Sequence, residues 1–364
     1  MAYERDNIHR LAAYVPGEQP QSGDVVKLNT NENPYPPPQA VLDAVRQVAP
    51  DSLRRYPPPS APHFRQAAAK VHNLQPDQVI ATNGGDELLR LAVTVFCDPT
   101  AKPGLGGLGE TAPTYSLYDV LAQIHDTPVT RVPLREDWSI PDDFAQRLND
   151  ARCRLAMIVN PHAPSGRLEP LDRLKQIARA FNGVLLIDEA YVDFAEHDAL
   201  PLLDPAEGLD NVLLLRSLSK GYSLAGLRFG YGLGHPALIA ALHKARDSYN
   251  TDVLAQAAAT AALEARPLAR ESWNKVIAER VRVSAALTRL AYRVWPSQSN
   301  FILAQPPEAG PAAADIYESL KKNAIFVRYF DQDRLRDKLR ITIGTPEQND
   351  ALLAAVQALA GVKA

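Results

Sequence analysis

Cysteine is nearly absent: Cys97 and Cys153 are the whole complement. Two thiols cannot build a disulfide framework, and neither stands in a metal-ligand spacing, so no metal site is expected. They read as buried thiols of a reducing compartment. An excess of one charge is missing as well. With 39 Lys and Arg against 42 Asp and Glu, the formal net charge is −3. The basic residues are spread along the chain, so neither nucleic acid nor an anionic membrane has an electrostatic footprint here, and any anion site has to be local. Long apolar runs are lacking too. Nothing approaches the roughly 20 residues that a membrane-spanning helix needs. The opening segment MAYERDNIHRLAAYVPG carries charges and no apolar signal core. Cytoplasmic location is the expectation.

What is present is ordinary globular material: 364 residues, 46% hydrophobic and 22% charged. That suffices for a large core or for two unequal domains. Proline is plentiful, at 30 residues, and clusters in NPYPPP (33–38) and PPPSAP (57–62). Such stretches read as extended arms or turns rather than regular helix or central strand. They are either surface loops or arms that wrap another subunit.

From about residue 79 to 260, short apolar runs alternate with helical patterns. VIAT (79–82), RLAMIVN (154–160), VLLIDEA (184–190), NVLLLRS (211–217) and RFGYGLG (228–234) read as strands. Continuous apolar strands separated by helices predict an α/β fold with a mostly parallel sheet covered on both faces. After about 265 a long charged helix precedes the short strands FILA and LRITIG, with helices over 311–322 and 346–360. That pattern predicts a smaller α+β domain. The expected division is an N-terminal arm over 1–35 packing with the small domain, a large domain over 36–265 and the small domain over 266–364.

Gly104, Gly106 and Gly109 spell G-x-G-x-x-G, the dinucleotide fingerprint. Its mechanism needs a strand ending at the first glycine and a helix opening after the last. Here CDPTAKP precedes the run and ETAPTY follows it, so it reads as a flexible turn, and a nicotinamide dehydrogenase is a poor fit.

Chemistry concentrates at four strand ends, where parallel sheets bind ligands. Asn83-Gly84-Gly85-Asp86-Glu87 stands between a strand and a helix, where small residues let amides approach a phosphate; a tight capped turn has the same pattern. Asp188 closes the buried run Val184–Ile187 and needs a cation or donor there, because an unpaired buried charge is costly. Tyr191 follows it. Ser217-Leu218-Ser219-Lys220-Gly221-Tyr222 puts a lysine beside two hydroxyls directly after a buried strand, a setting for imine formation. Arg228 offers a fork suited to phosphate. Tyr115, in Pro113-Thr114-Tyr115, is either a stacking platform for a flat heterocycle or a core tyrosine.

In order and spacing these segments resemble the fold-type-I aminotransferases, and most closely the histidinol-phosphate aminotransferases. The resemblance covers nearly the whole chain. It is carried by LNTNENPYP (28–36), RRYPPP (54–59), NGGDELL (83–89), APTYSLY (112–118), NPHAPSG (160–166), LIDEAYVDF (186–194), RSLSKGYSLAGLRFGYG (216–232), SNFIL (299–303) and LRITIGTPEQN (339–349). It implies pyridoxal 5'-phosphate as cofactor, with Lys220 as its imine lysine and the base that moves the substrate's α-proton. Asp188 is then the partner of the pyridine nitrogen, Tyr191 of the 3′-oxygen, and Tyr115 the stacking ring. Gly85, Asp86, Ser217, Ser219 and Arg228 form the phosphate cup. Tyr56 is similar to the family tyrosine that reaches the neighbouring subunit's cofactor, which implies a homodimer. Tyr14, Asn31 and Arg340 match substrate-side positions.

Two positions depart from the family. The segment around 160–166 usually runs Asn-Pro-Asn-Asn-Pro-Thr-Gly, and its last asparagine donates to the 3′-oxygen; Ala163 stands there, preceded by His162. One donor is therefore expected to be missing, unless His162 or a water substitutes. Ala351 replaces a residue that is often basic. The activity implied is transamination between histidinol phosphate and 2-oxoglutarate, in histidine biosynthesis. An aromatic amino-acid aminotransferase, a threonine-phosphate-type decarboxylase and a non-catalytic protein that kept the fold are the alternatives.

Overall fold

The computed structural model describes residues 3–12, 17–20, 25–99 and 106–359. Its strands, in chain order, are β1 (Val26–Lys27), β2 (Val79–Thr82), β3 (Leu108–Ala112), β4 (Val129–Pro133), β5 (Leu155–Val159), β6 (Val184–Asp188), β7 (Val212–Ser217), β8 (Gly230–Gly234), β9 (Arg293–Val294), β10 (Phe301–Gln305), β11 (Ile325–Phe326), β12 (Arg328–Tyr329) and β13 (Leu339–Thr342). Seven form one sheet in the order β2-β8-β7-β6-β5-β3-β4. Only β8 runs antiparallel to its neighbours, and the other pairings are parallel. The fold is therefore α/β with a mostly parallel mixed sheet, as the alternation of strands and helices predicts.

Alternate residues of the central strands enter two separate cores. Val212 and Leu214 of β7 and Leu185 and Ile187 of β6 pack into one. Leu213 and Leu215, with Leu186, pack into the other, against Leu88, Leu89 and Ala92 of the helix Gly84–Phe96. Both faces being covered, these strands have no polar side to show in the sequence.

β3 and the edge strand β4 lack that signature, and the sequence pattern predicts no strand at either. Their register partners Glu110 and Arg131 form an ion pair at 3.2 Å, with Glu110 buried. The glycine run read as a flexible turn is in part strand, since Gly109 lies inside β3; Gly104 falls outside the described residues. β3 begins within the run, after Gly106, and leads into the Pro113–Tyr115 turn, so the helix that the dinucleotide geometry needs after the last glycine is not there. Pro62, read as part of an irregular stretch, opens the helix Pro62–His72. The first turn tolerates proline because its N–H has no helical partner there.

β12-β13-β10-β9 form a second, antiparallel sheet. β1 pairs in parallel with β11, which ties the N-terminal segment to the C-terminal part of the chain.

Candidate active site

The carboxyl ends of β2, β6 and β7 open on one cavity of about 530 Å³, closed on the far side by residues of β12 and β13. Gly85, Asp86, Tyr115, Asp188, Tyr191, Ser217, Ser219, Lys220, Arg228, Asn31 and Arg340 all line it. Two expected residues do not. Tyr56 is exposed on the surface and stacks on Tyr249, with ring centroids 4.4 Å apart. Tyr14 lies outside the described residues.

Lys220 follows β7 immediately. Its Nζ donates to the Thr30 carbonyl at 2.9 Å, a contact spanning 190 residues of sequence. Burial and the nearby positive charges of Arg340 and Arg228 lower its pKa to about 8, against the opposing pull of Glu32. A buried amine loses proton affinity because its charged form has lost water.

Asp188 ends β6, almost wholly buried. Burial raises its pKa to about 6, held down by the Tyr118 hydroxyl and the Ala190 N–H. These donors lie 2.8 Å from Oδ2 and 3.0 Å from Oδ1. Such a carboxylate favours a cation at the cavity floor. Tyr191, after the same strand, accepts a hydrogen bond from Asn31 Nδ2 at 3.0 Å, and the Asn31 Oδ1 in turn accepts from Thr342 at 2.9 Å.

The anion cup is backbone, hydroxyl and guanidinium. Gly84 has φ +73°, and a methyl group there would lie 2.7 Å from Arg228 Nη2, so the turn has to be glycine for the guanidinium to close on it. Arg228 reaches Asp86 at 3.4 Å. Ser217 Oγ accepts from the Ser219 N–H at 3.1 Å. With the N–H groups at the start of the helix Gly84–Phe96, these groups make a setting that favours an anion.

The opposite wall was largely missed from sequence. Arg328 lines the cavity and stands directly opposite Arg340 in the β12–β13 register. Both guanidiniums lie over the Phe330 ring, at 5.2 and 5.4 Å from its centroid. Like charges facing each other across a strand pair are unfavourable unless an anion joins them. Arg328 has no distinguishing signal in the sequence, because what marks it is its partner 12 residues on.

Ala163 lines the cavity, but the neighbouring His162 is not among its lining residues. The His162 ring nitrogens are engaged by Ser165 Oγ at 2.8 Å and the Pro113 carbonyl at 2.9 Å. His162 therefore reaches no cavity group without breaking those bonds. Chemically the cavity suits a flat group with an anionic arm, a basic ring atom and an electrophilic carbon, beside a second anionic molecule.

The signature of the family "Aminotransferase class I and II" matches residues 23–356. Histidinol-phosphate aminotransferase 1 of Nostoc sp. (strain PCC 7120) is 43% identical over 98% of this chain and 98% of its own length. The histidinol-phosphate aminotransferase of Synechocystis sp. (strain PCC 6803) is 41% identical, again over 98% of each. The crystal structure of histidinol-phosphate aminotransferase from Sinorhizobium meliloti, in complex with pyridoxal-5'-phosphate, is similar with a TM-score of 0.89 at 26% identity. It covers 99% of this chain and 98% of that one.

Proposed function

This chain belongs to the class I and II aminotransferases and, within them, to the histidinol-phosphate aminotransferases, and from that premise we propose how it works. It is a pyridoxal-phosphate-dependent transaminase that exchanges the amino group of histidinol phosphate with 2-oxoglutarate, giving imidazole-acetol phosphate and glutamate. The aromatic aminotransferase, decarboxylase and non-catalytic readings give way to this one.

The cavity carries the groups that such a cofactor needs. The amine of Lys220 and the buried carboxylate of Asp188 line one cavity with Tyr115 and the turn around Gly85. Bound there, pyridoxal phosphate supplies an aldehyde carbon for the substrate amine and a ring that accepts electrons released at the α-carbon. The rest of the chemistry belongs to the chain. Lys220 Nζ, half neutral near pH 8, serves as base for the substrate's α-proton. Asp188 holds a proton on the ring nitrogen. Tyr115 provides the stacking face, and Gly85, Asp86, Ser217, Ser219 and Arg228 hold the phosphate. Tyr191, which accepts from Asn31, would donate to the cofactor's phenolic oxygen.

One observation carries the substrate reading: the facing guanidiniums of Arg328 and Arg340, which line the cavity beside Lys220. A fork of this kind accepts a carboxylate or a phosphate monoester equally well. One site can then serve both the dicarboxylate and the phosphorylated partner.

We read 36–265 as the cofactor-holding domain and 266–364 as the substrate-anchoring one, with the arm 1–35 joined to the latter; the β1–β11 pairing supports this. We also propose a cytoplasmic homodimer in which Tyr56 reaches the neighbouring site. The stacked, solvent-facing Tyr56–Tyr249 pair, with Leu53 62% exposed nearby in sequence, supports such an interface. Among the described residues no helix is long and apolar enough to cross a membrane.

The test is turnover of histidinol phosphate against phenylalanine with 2-oxoglutarate as acceptor, in the wild type and in Arg328→Ala. Loss of one charge-assisted contact predicts a KM for histidinol phosphate raised roughly 10- to 100-fold. A large preference for phenylalanine in the wild type refutes the reading.

A further inference from the structure

Tyr118 lies beneath the cavity and is absent from its lining. It is fully buried, and its hydroxyl donates to Asp188 Oδ2 at 2.8 Å. One turn of chain fixes both it and the cavity-lining Tyr115: Ser116 precedes the helix Leu117–Ile124, and the two rings meet edge to face, 5.7 Å apart at 82°. A tyrosine used only for packing in so apolar a core is replaceable by phenylalanine, and its hydroxyl would cost desolvation there. Here the hydroxyl is aimed at Asp188, a carboxylate that lines the cavity.

We propose that Tyr118 is a positioning residue that acts through Asp188: its donated hydrogen bond keeps the carboxylate ionised, so that the shared proton stays on the cofactor's ring nitrogen. This rests on the role given to Asp188 above. A buried carboxylate beside a protonated pyridine has two arrangements, the ion pair or a neutral acid against a neutral ring. Burial favours the neutral one. Two donors oppose it, the Tyr118 hydroxyl and the Ala190 N–H, with Lys220 helping and Asp86 opposing. Of the two donors, only the Tyr118 hydroxyl is a side chain that substitution can remove. Glu110, Tyr115 and Asp188 surround the phenol, and burial with these neighbours holds its pKa well above the ordinary value. Tyr118 therefore stays protonated and can only donate. A ring that loses its proton is a weaker electron sink, so the effect reaches the α-proton step without Tyr118 touching any reacting atom.

The experiment loads the holoenzyme with cofactor labelled with 15N at the ring nitrogen and records that resonance in the wild type, Tyr118→Phe and Asp188→Asn. In parallel it measures kcat, KM and cofactor Kd. The expected result is a wild-type signal at the protonated position and a Tyr118→Phe signal moved toward neutral pyridine. kcat should then fall roughly 10- to 100-fold, the range of a hydrogen bond to a charged group, while KM changes little. Tyr118→3-fluorotyrosine, a stronger donor of nearly the same shape, serves if the phenylalanine variant does not fold: followed against pH, its ring nitrogen should keep its proton to higher pH than in the wild type, and an unshifted midpoint overturns the proposal. A 15N signal in Tyr118→Phe identical to the wild type overturns the proposal. If the wild type fails to take up the cofactor, or its ring nitrogen is indifferent to Asp188→Asn, the reading of the site itself has failed, a result distinct from the first.

Discussion

Gly230 opens β8, and its register partners are Thr82 on β2 and Ser217 on β7. A methyl group added there would lie 2.7 Å from Gly84 C, 2.8 Å from Gly85 N and 3.0 Å from Gly84 O. All three are backbone atoms, so no flexible side chain can move aside. They also begin the helix Gly84–Phe96, whose first amides, Gly85 N among them, are proposed to hold the cofactor's phosphate. Gly230→Ala therefore has to push the Gly84–Gly85 turn out of place. Overpacking of this kind costs about 1–3 kcal/mol. If the shift forfeits one charge-assisted hydrogen bond to the phosphate, at about 1.5 kcal/mol, cofactor Kd rises about tenfold. Thermal melting of the apoprotein should fall by a few degrees, and an absorbance titration should give the weaker Kd. Gly226→Ala is the control. It lies two residues from Arg228, yet among the described residues nothing stands within 4 Å of an added methyl group, so neither quantity should move. Wild-type affinity in Gly230→Ala, or equal losses in both variants, refutes the reasoning.

In the apoprotein, Lys220 reacts with the cofactor aldehyde only when neutral, so the capture rate should climb with pH and level off above about 8, where its lowered pKa lies; a midpoint near that of an ordinary lysine refutes the burial argument. Ala163→Asn places a donor beside the cofactor's phenolic oxygen and should lower the pH midpoint of the bound cofactor's visible absorbance change, whereas an unchanged midpoint counts against a missing donor. Arg216 and Glu189 form a buried ion pair at 2.7 Å. Arg216→Met strands that carboxylate and should cost about 3–5 kcal/mol in urea unfolding. Without its partner Glu189 must take up a proton to stay buried, so the loss should be larger near pH 8 than near pH 5. Adding Glu189→Leu should recover most of it, and an unaffected single variant would show the pair to be dispensable.

Much of the site was legible because its chemistry sits at the ends of strands buried on both faces. VLLI and VLLL announce themselves as continuous apolar runs, and polar residues that close or follow them, Asp188 and Ser217, Ser219 and Lys220, come out at the carboxyl edge of the sheet. Backbone connectivity alone brings those residues to one rim. The same logic picked out Gly85 and Asp86 after VIAT. It failed at β3 and β4, where the Glu110–Arg131 pair takes the place of apolar side chains and erases the pattern.

Local order in the chain thus determined the fold class, and that Lys220, Asp188 and the Gly84–Gly85 turn come to one cavity. Tertiary structure alone decided what surrounds them. Tyr118 against Asp188, Thr30 against Lys220, Arg328 opposite Arg340 and Gly230 against Gly84 are contacts of register and packing between distant or separately paired segments. No periodicity encodes them, because each depends on how far one strand or helix slides along another, and that is set by the whole core at once.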